Sequence, residues 1–170
     1  VTLADTATLT IGSGGLALYP TSSGRSQTLT GGKITTTNGV LYLLTGDSAA
    51  TSDLNINSMI SGTGMELVKG GYATVTLGGS VNNTYSGTTY VNGGVLKANK
   101  SGSAVSVPGD LIIEAGGIFD AVSGLPVSGT SAVTINEYGE YKGGNLTLTH
   151  AAPLTINGGE YLVNNLHNPT

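Results

Sequence analysis

The 170-residue chain predicts an all-β fold, built as a parallel β-helix. Three observations predict it: a composition of strand and turn formers with little charge, an apolar triplet recurring about every 20 residues, and no amphipathic helical pattern.

Composition comes first. The chain has 38% apolar and 9% charged residues, with 28 Gly, no Cys and no Trp. A disordered chain would also be apolar-poor, but rich in charge, Pro, Gln and Lys. Here the polar excess is Thr, Ser, Asn and Gly. Thr and Tyr favour strands, whereas Gly and Asn favour turns that need positive φ. Many short strands joined by tight turns follow.

Charge and length exclude several classes. A net charge of -4 with Arg25 as the single arginine provides no basic stripe for nucleic acid. No run of about 18 apolar residues exists, so no transmembrane segment is expected in this chain. The opening "VTLADTATLTI" has neither a basic region nor an apolar one, and a signal peptide is not expected within it. Residues 1–170 are therefore expected to form a single β-helix segment, an excerpt of a longer chain. Without Cys there is no disulfide, thiolate zinc site or thiol nucleophile, which suits passage through an oxidising compartment.

The repeat is an apolar–x–apolar triplet followed by Gly and a second apolar pair. It reads "LTIGSGGLAL" from Leu9, "LIIEAGGIFD" from Leu111, "VTINEYGEYK" from Val133 and "LTINGGEYLV" from Leu154. Weaker copies begin at Leu29, Leu54 and Val75, and "GGVLKA" places Val95 20 residues after Val75. About eight rungs of roughly 20–22 residues are expected, stacked at about 4.8 Å. Leucine-rich repeats share the period but need a Leu-x-x-Leu-x-Leu frame that is missing. A β-sandwich is the other rival, and the in-step repetition favours the solenoid.

Aligned with a one-residue gap in the last, "IEAGGIFD", "INEYGEYK" and "INGGEYLV" superpose Phe119, Tyr141 and Tyr161 as an aromatic stacking ladder. The same register superposes Ile118, Glu140 and Glu160. Leu9, Ile11, Leu111, Ile113, Val133, Ile135, Leu154 and Ile156 should face inward, with Thr10, Thr134 and Thr155 outward. Surface loops are expected at "PTSSGRSQ", "TGDSAATSD" and "NKSGSAVSVPGD".

The central stretch "GTGMELVKGGYATVTLGGSVNNTYSGTTYVNGGVLKA", residues 62–98, is the most specific signal. It supplies Gly62, Gly64, Leu67, Lys69, Gly71, Thr74, Leu77, Gly79, Tyr85, Gly87, Thr89, Val91, Gly94 and Leu96 in the order and spacing of a known pattern. It resembles the passenger-associated repeat of bacterial autotransporters. Two departures are an extra residue around "SVNNTY", which brings Asn83 closest to the family's Asn, and Val75 where Leu is common. The resemblance implies a right-handed parallel β-helix on the cell surface or secreted, carried by a C-terminal barrel, that assists passenger secretion or folding. It does not imply catalysis. From the residues themselves, Thr89 and Val91 should share one face of a short strand, with Thr88, Tyr90 and Asn92 opposite.

Chemistry has few candidates. Glu140 and Glu160 would lie about one rung apart, near the roughly 5–5.5 Å of retaining glycosidases. Against this stands a solvated row of glutamates that Lys142 neutralises. His150 and His167 have no carboxylate beside them, Arg25 stands alone, and Asn145 opens a formal glycosylation triplet. No Gly-x-Ser-x-Gly elbow or Gly-Gly-x-Gly-x-Asp calcium repeat occurs. No catalytic residue, metal or cofactor is expected. The expected role is a stalk or adhesive surface in an extracellular or cell-surface protein. Its partners would be a glycan or protein on a host or neighbouring cell. A filament subunit stacking end to end is the alternative, and a polysaccharide-active enzyme the remote one.

Overall fold

Alternation of apolar and polar residues over three to seven positions, punctuated by Gly, produces strands too short to form a sheet within one turn. Each strand instead pairs with its counterpart one turn away. The computed structural model describes residues 1–18, 26–46, 53–143 and 152–163, and among them there are strands and turns but no helix.

The first turn holds β1 (Thr8–Ile11), β2 (Gly15–Leu18) and β3 (Gln27–Leu29), and the second β4 (Lys33–Thr36), β5 (Val40–Thr45) and β6 (Leu54–Ile56). The third has β7 (Met59–Gly62), β8 (Glu66–Gly70) and β9 (Thr74–Leu77). The fourth has β10 (Thr84–Tyr85), β11 (Thr89–Val91) and β12 (Gly94–Asn99). Then come β13 (Val105–Val107), β14 (Leu111–Ile113) and β15 (Gly117–Ser123), followed by β16 (Leu125–Val127), β17 (Val133–Asn136) and β18 (Glu140–Gly143). A last pair, β19 (Leu154–Asn157) and β20 (Glu160–Val163), completes the series.

These strands make three faces. The first runs β1-β4-β7-β10 and resumes as β13-β16; the second runs from β2 to β19, and the third from β3 to β20. All pairings between these strands are parallel, which makes the fold a parallel β-solenoid. Side chains at alternate positions point into the rod. Leu41, Leu67, Thr89, Leu111 and Val133 form one inward column of the second face, and Leu54, Val75 and Leu96 one of the third. Each such buried aliphatic side chain contributes roughly 1.5–3 kcal/mol.

The sequence expectation of about eight rungs needs correction. There are six complete three-strand turns and a seventh of two strands. Leu9 and Leu29 sit in β1 and β3 of the same turn, so the repeat starts count that turn twice. The motif is an apolar strand plus a corner, and either of two corners can carry it. Spacings along the second face, from Gly15↔Tyr42 to Thr134↔Thr155, are 27, 26, 22, 22, 22 and 21 residues. Two turns are thus longer than expected. Seven stacked turns span six steps, about 29 Å.

Other expectations also change. Residues 99–110 are not a surface loop: they contain β13, with Lys100, Ser106 and Val107 fully buried. A three-residue strand set among Ser and Gly hides the apolar alternation. Leu154 and Ile156 are exposed at 36% and 49%, because β19 pairs on one edge only and no further described turn covers it. Leu9 and Ile11, in the first turn, are half-buried for the same reason. Leu111, Ile113, Val133 and Ile135 do face inward, and Thr10, Thr134 and Thr155 face outward. Parts of the first two expected loops, with Arg25, Asn145, His150 and His167, lie outside the described residues.

Candidate functional site

The stretch Gly62–Ala98 spans the third and fourth turns, and four of its polar side chains, Lys69, Asn83, Tyr85 and Thr89, point inward. Asn83 occupies the position of the first face where neighbouring turns carry Ile34 and Ile60. Its Oδ1 accepts from the Ile60 amide at 3.0 Å, and its Nδ2 donates to the Ser106 carbonyl oxygen at 2.8 Å. The Asn83 amide donates to the Val105 carbonyl oxygen at 3.0 Å, and Asn82 Oδ1 accepts from the Val105 amide at 2.8 Å. The two asparagines thus join β10 to β13 where the ladder of the first face is interrupted.

Tyr85 and Thr89 lie on either side of the next corner, both buried, with hydroxyl oxygens 2.7 Å apart. Burial pushes the Tyr85 phenol well above its ordinary range, so it stays protonated and can serve as the donor. Gly87, between them, packs against the turn below: a Cβ there would come within 2.5 Å of the Met65 carbonyl oxygen. Only Gly fits.

Lys69 stands in the inward column that holds Leu43 below it and Val91 above it. Its side chain is fully buried. Nζ donates to the carbonyl oxygens of Gly70, Gly71 and Gly93 at 3.0, 2.9 and 2.9 Å, with Thr45 Oγ1 3.4 Å away. Three ammonium donors meet three corner carbonyls. Desolvation pulls the Lys69 pKa down to about 8, and does the same to Lys100, whose Nζ donates to the Gly78 carbonyl oxygen at 2.8 Å. Gly71, at φ 80°, could not carry a side chain without striking the Thr45 carbonyl.

The remaining motif residues are placed around this seam. Leu67, Leu77, Val91 and Leu96 are buried, and Thr74 faces outward on β9. Gly62 closes β7, Gly94 opens β12, and Gly64 and Gly79 take left-handed corners. Thr88, Tyr90 and Asn92 lie on the outer side of the second face, opposite Thr89 and Val91.

Phe119, Tyr141 and Tyr161 are register partners on the third face, with ring centroids 5.2 and 5.0 Å apart. Phe119 and Tyr141 are buried and Tyr161 half-buried, so the ladder runs inside the rod. Ile118, Glu140 and Glu160 form the adjoining outward column. Glu140 Oε2 lies 3.3 Å from Lys142 Nζ, and Lys97 pairs with Asp120 at 3.7 Å one turn below. The structure brings Glu140 and Glu160 to neighbouring positions, with Lys142 on the first of them.

The geometry is that of residues spent on joining turn to turn. No protein-family model, curated protein or solved structure matches the chain. Two features escaped the sequence reading. Lys100 was placed in a surface loop, and its residue type offers no signal of burial. Tyr138, exposed and at φ 60°, sits where neighbouring turns have Gly; the break in "NEYGE" against "EAGGI" is the one clue.

Proposed function

We propose that this chain is a non-catalytic, shape-holding segment of an autotransporter-like protein on the cell surface or released from it, acting as a stalk or display surface. The observation that carries the reading is the use of the motif's polar groups. Asn83, Tyr85, Thr89 and Lys69 all direct their hydrogen bonds into the rod, between turns or across corners. Buried polar groups satisfied in this way rigidify a fold and are costly to disturb. A reactive site would instead present such groups to a substrate. The outward columns of Thr, Asn and Tyr on the second face offer a flat surface for a glycan or protein on another cell.

The test uses the protein displayed on intact cells. Replacing Gly62–Ala98 by a Gly/Ser linker of equal length should reduce antibody labelling at the surface and make the displayed chain sensitive to protease. Full labelling and full protease resistance would contradict the reading.

A second reading, a subunit that stacks end to end, draws on one observation. Leu154, Ile156 and Leu162 are exposed on the outermost described strands, and an uncovered strand edge invites pairing. Sedimentation velocity separates the two, since a stacking subunit lengthens as its concentration rises and a stalk does not.

A further inference from the structure

One corner of the rod carries an outward column that coil stacking does not use. The register Val95↔Thr74, Gly94↔Gly117 and Ile118↔Glu140, extended by one or two residues, aligns Tyr72, Gly93, Gly116 and Tyr138 between the second and third faces. Tyr72 and Tyr138 are 73% and 76% exposed, three turns apart. At about 4.8 Å per turn they stand roughly 14 Å from each other. The floor between them is open backbone. A Cβ on Gly116 would meet nothing within 4 Å, and one on Gly93 would touch the Gly71 carbonyl oxygen at 3.5 Å.

Tyr138 gives this corner its second, independent feature. It is the one non-glycine residue with positive φ among those described, at 60°. Gly116 (φ 77°) and Gly158 (φ 81°) fill the same place in the turns on either side. A bulky residue is strained there and Gly is not. The ring recovers little by burial, being mostly in water. A strained, exposed aromatic side chain is kept for what it touches outside the chain.

Beside the slot, Asn92, Glu114 and Asn136 make the adjoining outward column of the second face. Glu114 Oε2 accepts from Asn136 Nδ2 at 3.0 Å. The Asn92 carboxamide has no side-chain partner among the described residues and remains available to a ligand hydroxyl.

We propose that this corner binds a neutral oligosaccharide four rings long, one ring per turn, its end rings stacked on Tyr72 and Tyr138 and its hydroxyls bonded by Asn92 and Glu114. Aromatic faces receive the apolar face of a sugar, while a few polar groups set its orientation. Glu114, Glu137 and the net charge of -4 repel acidic sugars. The inference rests on the display-surface reading and deepens it.

The experiment is calorimetric titration of the chain with maltotetraose, cellotetraose, mannotetraose and tetraacetylchitotetraose, with tetragalacturonate as the anionic comparison. At least one neutral tetrasaccharide should bind in the millimolar range. Tyr72→Ala and Tyr138→Gly should each weaken that binding about tenfold or more. Tyr138→Gly should also leave the thermal midpoint unchanged or higher, because it relieves the strained φ. No binding of any neutral sugar up to about 10 mM overturns the proposal. So does preference for tetragalacturonate, binding that survives both substitutions, or a protein partner captured through these tyrosines while no sugar binds. A folded rod that fails here but passes the linker test loses the slot and keeps the stalk.

Discussion

Asn83 and Ser106 are joined across neighbouring turns by a buried 2.8 Å hydrogen bond from the Asn83 Nδ2 to the Ser106 carbonyl oxygen. The same carboxamide accepts from Ile60 on the other side. One side chain thus holds three turns where the first face has a gap in its ladder.

Asn83→Leu should therefore be far more damaging than a polar-to-apolar change in a core usually is. It leaves the Ile60 amide and the Ser106 carbonyl without partners, at about 2–4 kcal/mol together. Urea unfolding measures the difference. A loss under about 0.5 kcal/mol would show that water or a backbone shift replaces the carboxamide.

The Tyr85–Thr89 pair should behave differently. Tyr85→Phe strands the Thr89 hydroxyl and should cost about 1–2 kcal/mol, whereas Tyr85→Phe with Thr89→Val removes both polar groups and should recover most of it. A double-mutant cycle should give a coupling of about 1 kcal/mol, and additive losses would contradict the bond.

Fold stability should rise with pH above neutrality. The buried Lys69 and Lys100 titrate near 8 in the folded chain, below the ordinary 10.5. Between those values the unfolded chain binds a proton that the folded chain does not, so deprotonation favours folding. The slope should reach roughly 1.4 kcal/mol per pH unit for each lysine. Above about pH 10 the trend should reverse: burial raises the Tyr85 and Tyr141 phenols, so the unfolded chain loses those protons first. Urea midpoints across this range test it, and Lys69→Met should remove about half the rise. A flat profile would mean that the three carbonyl bonds fully offset the desolvation of Lys69.

In the aromatic ladder, Tyr141 carries a buried hydroxyl with no hydrogen-bond partner among the described residues. Tyr141→Phe should be neutral or stabilising by up to about 1 kcal/mol, while Tyr141→Ala should cost about 3–5 kcal/mol through the cavity it leaves. A clear loss of stability in the Phe variant would mean that the hydroxyl has a partner.

How much of this was legible in the sequence depended on whether residue type and environment agree. Phe119 and Tyr141 superpose in the sequence because each stands eight residues after the start of the preceding strand, at Leu111 and Val133, and Tyr161 joins them across a corner one residue shorter. Leu111 and Ile113 could be read for the same reason, since an apolar side chain at a period of two faces a core. Lys69 and Lys100 could not. A lysine ordinarily reads as surface, and only the stacked corner carbonyls make an interior place for it. The strand Val105–Val107 was hidden because a three-residue strand is fixed by its partner in the next turn, not by its own pattern. The count of turns failed because Leu9 and Leu29 carry the same motif on two faces of one turn.

The central claim is that the turns stack into a rigid rod held in shape by the Asn83 seam. Spin labels on cysteines introduced at Thr28 and Lys142, in a chain with no native Cys, measure it most directly. The two positions share one outward column of the third face, linked through Asn55, Thr76, Lys97 and Asp120. Five steps place their backbones about 24 Å apart. The account predicts a narrow distance distribution centred there, allowing for the label tethers, and a broad one when Asn83→Leu is added. A broad or much shorter distribution in the parent would contradict the stacked rod. A narrow one that survives Asn83→Leu would show that the seam does not hold its shape.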